Sequence, residues 1–377
     1  IQVSYSVGRR IRNRLFRIKL FFCATIPYHA CYNFSVNLAF LLHIYQPPNQ
    51  DDRIVNDIAE SCYLPLIKSI KNNQNINLTV NIPLSLVYQM HTHGYKGFIT
   101  DLKELYDADR VELTSTGAYH PLLTKIDPEL AEREIILNEY GLGYYFGKDK
   151  GFEGEEAIML KNVNGFFPPE MAVNNDLLEL LDDMGYAWVA VDEAAIPPQQ
   201  LNYNSVYEFK DLNIKVVSRH TGLSNILSFK RDTDIEDFTD YVLMLRQKGL
   251  DVVVALDGEF FGHHHKEGIY LFDTLMTSLT SLGVNLTTVS ELVDKTDEVT
   301  VDGIRDSTWG ADEEKMQSGN AYPMWNNPSM PLHKLLWDVL EEVSRVALER
   351  PSKPPALDGD ESFDYHTFPI WDLEKID

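Results

Sequence analysis

Short runs of apolar, often β-branched residues alternate with longer stretches of helical periodicity along residues 36–296 of this chain. Val36–His43 and Asp251–Leu256 are each predicted as a strand buried on both faces, because their apolar residues follow one another without a polar face. Between residues 54 and 70 apolar side chains instead recur every fourth position, which predicts a helix. About seven such alternations predict a parallel sheet with helical crossovers, closed or nearly closed into a barrel.

The same reasoning assigns the other elements. Further strands are predicted at 77–82, 111–116, 163–167, 186–191, 216–219 and 284–288. Further helices are predicted after Pro83, at 127–145, 177–184, 234–248 and 269–282, from Ser290, and at 332–348. A loop is expected from His220 to Ser224, and an irregular stretch from 297 to 330.

Three regions follow from these patterns: a basic segment at 1–35, a catalytic barrel at 36–296, and an extension at 297–377 with one helix and an acidic, Pro-rich tail. Residues 1–50 contain no Asp or Glu, while six positive charges lie between Arg9 and Lys19. That composition is typical of a targeting segment. A truncated or misassigned start explains it equally well.

The charge of the chain restricts its partners. It carries 57 acidic against 33 basic residues, a formal net charge of −24. Nucleic acids and anionic membranes require basic surfaces, so we expect neither as a partner. No stretch approaches the ~18 consecutive apolar residues of a membrane span. Cys62 is the only cysteine after the basic segment, which favours a reducing, cytoplasmic location. The oligomeric state is left open.

Three carboxylates follow two of the predicted strands. Asp257 and Glu259 come directly after one apolar run, and Glu170 follows a shorter run and two prolines. In α/β barrels the carboxyl ends of the strands carry the chemistry. Each acid alone is as readily a helix cap. Two of them at separate strand ends favour acid–base or nucleophilic catalysis on a polar substrate.

Other polar and aromatic side chains share this placement, and we expect them to bind substrate. They are His43, Tyr45, Gln46, Tyr119, His120, Asp192, Arg219 and His263, together with Glu259. Arg219 has two open interpretations, a partner for one of the catalytic carboxylates or a buried structural ion pair. Trp309 and Trp325 either stack on sugar faces at the barrel mouth or pack against the barrel.

Four segments resemble, in order, the first four motifs of glycoside hydrolase family 57. They are His43-Ile-Tyr-Gln-Pro, Val111-Glu-Leu-Thr-Ser-Thr-Gly-Ala-Tyr-His120, Phe166-Phe-Pro-Pro-Glu170 and Leu256-Asp-Gly-Glu-Phe-Phe-Gly-His263. The fifth motif is poorly matched, and Ser307–Trp309 and Ala321–Asn326 are the nearest equivalents. The order and spacing of the first four motifs make the resemblance specific, whereas a match to any one motif alone is weak evidence.

The resemblance implies an incomplete (β/α)7 barrel that acts on an α-linked glucan or oligosaccharide with retention of configuration. It implies Glu170 as the nucleophile and Asp257 as the acid/base, with their carboxyl groups about 5–5.5 Å apart. Glu259 then orients Asp257 or binds a sugar hydroxyl. His43, His120 and His263 hydrogen-bond the sugar, and neither a metal nor a cofactor is needed. The balance between hydrolysis and transfer stays open.

Two other functions are compatible with a barrel of this kind. A metal-dependent carbohydrate deacetylase requires an Asp and two spaced His ligands, for which the chain offers only His43, Asp257 and the His263–His265 run. A non-catalytic glycan-binding barrel is the second alternative. The presence of both predicted catalytic acids argues against it.

Overall fold

The computed structural model describes residues 36–147, 163–201, 206–229 and 235–349. The expectations for the basic segment and for the tail after residue 350 lie outside the described residues. The division into three regions therefore stays a prediction.

Strands occupy almost all the positions that the apolar runs predict. They are β1 (Asn37–His43), β2 (Leu78–Asn81), β3 (Val111–Thr114), β4 (Gly165–Phe166), β5 (Trp188–Asp192), β6 (Val206–Phe209), β7 (Lys215–Arg219), β8 (Val252–Asp257), β9 (Asn285–Thr287) and β10 (Val299–Val301).

The helices lie between these strands and after them. They are α1 (Asp52–Ile58), α2 (Leu64–Asn72), α3 (Leu84–Thr92), α4 (Lys96–Asp107), α5 (Pro128–Phe146), α6 (Asn175–Asp183), α7 (Thr221–Phe229), α8 (Ile235–Gln247), α9 (Gly268–Ser281), α10 (Val289–Val293), α11 (Glu313–Gln317) and α12 (Pro331–Glu349). A single π-helical turn, Ala59–Tyr63, joins α1 to α2 without a break.

The strands form two sheets, which are linked between β3 and β4 and between β7 and β8. One has the order β3-β2-β1-β8 with β9 beside the first half of β1, and the other has the order β10-β6-β7-β5-β4. A parallel bridge between Ser115 and Phe166 joins β3 to β4. On the other side the amide of His220 donates to the carbonyl of Val253 at 2.7 Å. The sheets and these links confirm the predicted incomplete (β/α)7 barrel.

The barrel strands are buried on both faces, as their continuous apolar runs predict. Along β1, Leu38, Phe40 and Leu42 pack outwards against the surrounding helices. Ala39 and Leu41 point the other way, into a cluster inside the barrel. Burying a side chain of leucine or phenylalanine size stabilises a fold by about 1.5–3 kcal/mol. The two clusters therefore hold β1 firmly in the barrel wall.

Three expectations are wrong. The loop expected after His220 is the helix α7, in which Leu223 and Leu227 are buried at helical spacing. The strands β6 and β10 were not predicted, since both are short and the edge strand β10 is defined by its distant partner β6, with Val299 opposite Tyr207. The stretch 297–330 is consequently not wholly irregular, because it contains β10 and α11.

No helix in the described ranges is long and apolar enough to cross a membrane. Cys62 is buried and forms no disulfide. The cytoplasmic location stays a prediction.

Candidate active site

A cleft of about 440 Å³ opens at the carboxyl ends of the barrel strands. Glu170, which follows β4, and Asp257, the last residue of β8, both line it. The predicted site residues that also line it are His43, Tyr45, Gln46, Arg219, Glu259, His263 and Trp309. Volumes of about 300–1,000 Å³ are usual for sites that bind small molecules.

His43 and Asp257 lie side by side, because they are paired in register at the ends of the adjacent parallel strands β1 and β8. His43 Nδ1 is 2.7 Å from Asn81 Oδ1. The Asn81 amide group in turn donates to Thr114 Oγ1 at 2.8 Å. This network assigns the proton to Nδ1 of His43 and leaves Nε2 as an acceptor. Burial lowers the pKa of His43 despite the opposing effects of Asp257 and Asn81, so the ring is neutral.

Glu170 has a left-handed backbone conformation, with φ 59° and ψ 17°, and Met171 follows with φ 49°. Such conformations are costly for residues other than glycine and concentrate at functional sites. The Trp309 indole donates to Glu170 Oε2 at 2.7 Å. Burial raises the pKa of Glu170, the Trp309 hydrogen bond lowers it, and the charge of Asp257 adds to the increase. Trp309 thus holds Oε2, while Oε1 has no hydrogen-bond partner among the described residues.

Glu259 also lines the cleft, although its side chain is only 6% exposed. Its Oε1 accepts hydrogen bonds from the Tyr63 hydroxyl and, at 3.0 Å, from the Tyr45 amide. Burial and the neighbouring charge of Asp257 raise the pKa of Glu259 to about 7. Among the cleft acids, Glu259 therefore titrates near neutral pH.

Four rings form one wall of the site. The imidazole of His43 lies between Phe167 and His120, with centroid distances of 5.1 and 4.9 Å. Tyr45 stacks on His120 at 4.0 Å. His120 has a left-handed backbone with φ 60°, and burial lowers its pKa well below the usual range. The wall presents neutral imidazoles beside apolar rings, a surface suited to an uncharged polar ligand.

Arg219 forms a buried ion pair, which settles the two interpretations left open by the sequence. Its Nε lies 2.7 Å from Asp192 Oδ2, and both side chains are less than a tenth exposed. A second nitrogen of Arg219 donates to the carbonyl of Ala255 at 3.2 Å. Asp192 is thus the partner of Arg219, which itself reaches the cleft.

Four other predicted residues are not among those that line the cleft: Tyr119, His120, Asp192 and Trp325. His120 stacks on His43 and Tyr45, which line the cleft. Asp192 forms an ion pair with Arg219, which also lines the cleft. The backbone amide of Tyr119 donates to Oε2 of Glu134, on α5, at 2.9 Å. Trp325 packs edge-on against Trp309 at 6.1 Å, behind the cleft. Trp309 lines the cleft and hydrogen-bonds to Glu170, while its stacking on a sugar face stays a prediction.

Sequence reasoning missed several residues of the site: Asn81, Phe167, Phe229 and Tyr63. Asn81 ends β2 as His43 ends β1, so its strand-end position was a usable signal. Phe229 is 63% exposed at the cleft rim and stacks on Trp309 at 6.1 Å. Phe229 is the last residue of α7, a helix that was not predicted from the sequence.

Within the described ranges, no group of three or more His, Cys, Asp or Glu side chains is placed to hold a metal ion. The ligand set that the deacetylase alternative requires is therefore not assembled in this part of the chain.

The fold and the cleft define an α/β barrel protein that presents two acids from separate strand ends to one pocket. The model of glycosyl hydrolase family 57 matches residues 21–304. The chain belongs to that family. Trp309, Trp325 and α12 lie beyond the matched range, which agrees with the poor match of the fifth motif.

Curated relatives resemble part of the chain. An alpha-amylase of Pyrococcus horikoshii is 24% identical over 158 residues, which are 42% of this chain and 23% of the relative. An alpha-amylase of Pyrococcus furiosus is 22% identical over 173 residues, which are 46% of this chain and 24% of the relative. The chain thus spans about a quarter of the length of these relatives.

Solved structures share the fold at low identity. A branching enzyme of this family from Pyrococcus horikoshii superposes with a TM-score of 0.67 at 14% identity, covering 85% of this chain and 80% of the other. A 4-alpha-glucanotransferase from Thermococcus litoralis superposes with a TM-score of 0.62 at 18% identity, covering 83% of this chain and 47% of the other. These superpositions support the barrel assignment.

Proposed function

We propose that this chain is a retaining glycoside hydrolase or glucanotransferase that acts on α-linked glucans. The observation that carries the proposal is that Glu170 and Asp257 line the same cleft and interact electrostatically. Membership of glycosyl hydrolase family 57 supports it, as do relatives described as an alpha-amylase and a 4-alpha-glucanotransferase.

In the first step of the proposed reaction, Oε1 of ionised Glu170 attacks the anomeric carbon of the sugar. The bond from that carbon to the glycosidic oxygen breaks, and Asp257 transfers its proton to the leaving oxygen. The product is a glycosyl ester on Glu170. Trp309 holds Oε2 and so aims the free oxygen at the substrate.

In the second step, ionised Asp257 takes a proton from water or from the hydroxyl of an acceptor sugar. The resulting oxygen attacks the anomeric carbon from the face that the leaving group occupied, and the ester bond to Glu170 breaks. Two inversions give net retention. Water yields hydrolysis and a sugar acceptor yields transfer.

The remaining cleft residues are suited to binding the sugar. Nε2 of His43 accepts a hydrogen bond from a sugar hydroxyl. Because the ring is neutral, no charged imidazole has to lose its water when the sugar binds. Phe229 and Trp309 offer apolar faces at the rim, against which the C–H faces of a sugar ring can pack. The wall formed by the rings of His43, Tyr45, His120 and Phe167 carries no strong charge, which agrees with an uncharged glucan as the ligand.

The test is product analysis on maltooligosaccharides and longer α-glucans, with proton NMR of the anomeric configuration. Wild type is expected to release or transfer sugars with retention. Glu170→Gln is expected to abolish turnover, and Asp257→Asn to lower it by about 100-fold or more. Glu139→Gln is the control, because Glu139 is another half-buried acid with a raised pKa but lies outside the cleft lining. Sugar binding without turnover in wild type would indicate a glycan-binding barrel instead.

A further inference from the structure

The π-helical turn Ala59–Tyr63, which joins α1 to α2, has no role in the proposed mechanism. Its amide-to-carbonyl bond runs from Leu64 to Ala59, one residue wider than in an α-helix. Single π turns are rare and are frequent at functional sites. None of these five residues lines the cleft. The turn therefore needs another explanation.

The turn packs against the loop that follows Asp257. Cys62 Sγ donates to the carbonyl of Gly258 at 3.3 Å. The Tyr63 hydroxyl donates to Glu259 Oε1. At Gly262, whose φ is +153°, a Cβ atom would lie 2.3 Å from the carbonyl oxygen of Ser61. The turn thus touches three of the first five residues after Asp257.

Tyr63 also reaches the loop after β1. Gln46 Nε2 donates to the Tyr63 hydroxyl at 3.2 Å, and that hydroxyl lies 3.4 Å from the carbonyl oxygen of Tyr45. Glu259 Oε1 accepts from the Tyr45 amide at 3.0 Å. The hydroxyl oxygen of Tyr63 therefore contacts both loops, the one that carries Tyr45 and the one that follows Asp257.

We infer that Tyr63 is a positioning residue for catalysis: it holds the Glu259 carboxylate, and through it the backbone that presents Asp257 to the substrate. This inference rests on the proposed function, because it takes Asp257 as the acid/base. Tyr63 is 1% exposed and packs in the core, so it also stabilises the fold. The positioning role makes a separate prediction, that Tyr63 acts through Glu259.

Ionisation of Glu259 gives a way to observe this role. The titratable groups that face it are Asp257, Tyr63 and Cys62. The ionised carboxylate accepts from Tyr63 and Tyr45 more strongly than the protonated acid does. Because the Tyr63 hydrogen bond lowers the pKa of Glu259, its removal is expected to raise that pKa further. The active form is then reached only at higher pH.

The experiment compares Tyr63→Phe with Tyr95→Phe in the full chain. Tyr95 is the control, since its hydroxyl also donates to a glutamate, Glu60, at 3.3 Å on the surface. In Tyr63→Phe we expect kcat to fall about 10- to 100-fold, the range for a lost hydrogen bond to a charged group, with KM unchanged. The acid limb of kcat/KM is expected to move to higher pH. Tyr95→Phe is expected to match wild type.

A double-mutant cycle separates positioning from packing. If Tyr63 acts through Glu259, adding Tyr63→Phe to Glu259→Gln is expected to cost almost nothing more in kcat. Additive losses with an unmoved pH profile would overturn the inference and leave Tyr63 as a core residue.

A third measurement does not depend on activity. Carbon-13 NMR of glutamate carboxyl groups, with Glu259 assigned by its absence in Glu259→Gln, follows its titration directly. An upward shift in Tyr63→Phe supports the hold of Tyr63 on Glu259; if wild type then turns over no α-glucan, it is the proposed function that fails, and the catalytic role of Tyr63 fails with it. An unchanged Glu259 titration overturns the inference even if wild type is active.

Discussion

Trp309 donates its indole N–H to Glu170 Oε2 at 2.7 Å, across 139 positions of the chain. The backbone amide of Trp309 also donates to the Glu170 carbonyl, at 3.3 Å. A residue beyond the matched family range thus holds a glutamate that has a left-handed backbone. The geometry of the proposed nucleophile therefore depends on the C-terminal extension as well as on the barrel.

Trp309→Phe removes the indole donor but keeps an aromatic ring. Because that hydrogen bond lowers the pKa of Glu170, its loss is expected to raise the pKa and to move the acid limb of kcat/KM to higher pH. We expect kcat to fall about 10- to 100-fold. Trp337→Phe is the control, since it also loses an indole hydrogen bond, to the carbonyl of Trp325 at 2.8 Å. Equal losses in the two variants would show that general packing is responsible.

Glu259 is predicted to make stability depend on pH. Its pKa of about 7 in the folded state lies above the ordinary value of 4.5, so the folded state binds the proton more tightly than the unfolded state. The free energy of unfolding should then fall as pH rises from about 4.5 to 7, by an amount on the order of 3 kcal/mol. Glu259→Gln should flatten this dependence in urea unfolding at a series of pH values. An equally steep decrease in the variant would assign it to other groups.

Asp192→Ala is expected to destabilise the fold strongly. It leaves the Arg219 guanidinium buried without its carboxylate partner, and loss of one partner of a buried ion pair costs about 3–5 kcal/mol. Glu342→Ala is the comparison, because Glu342 pairs with Arg345 on the exposed surface of α12. Such surface pairs contribute about 0–1 kcal/mol. Chemical unfolding of both variants measures the difference, and similar small losses would mean that water reaches Arg219.

Phe229→Ala is expected to weaken substrate binding. The ring is 63% exposed at the cleft rim and stacks on Trp309, so it offers a platform for a sugar ring outside the reacting position. We expect KM for longer maltooligosaccharides to rise about two- to tenfold, with little change in kcat. Tyr270→Ala, which removes a ring that is 72% exposed on α9, is the control. An unchanged KM in Phe229→Ala would place the substrate elsewhere in the cleft.

Much of the barrel was predictable because its strands are buried on both faces. A strand with two buried faces has a continuous apolar run, which local sequence reveals directly, as in β1 and β8. The strands β6 and β10 were missed because they are only four and three residues long, and because β10 pairs with β6 from far along the chain. Helix α7 was missed because Gly222 and Ser224 obscure the helical spacing of Leu223 and Leu227.

The same distinction applies to the cleft. His43, Glu170 and Asp257 could be placed together from sequence, because parallel strands bring their carboxyl ends to one edge. The contact between Tyr63 and Glu259 spans 196 positions and depends on a π turn, for which the sequence carries no periodic signal. Asn81 was within reach of the same strand-end reasoning but was not selected.

By itself, the sequence determined the parallel barrel and the edge at which its polar side chains gather, because hydrophobic periodicity and strand ends are local properties. Only the tertiary structure decided that Arg219 pairs with Asp192, that Trp309 holds Glu170, and that Glu259 titrates near neutral pH. Hydrogen-bond partners and pKa values depend on burial and on groups far away in the chain, and these exist only once the strands and loops have packed together.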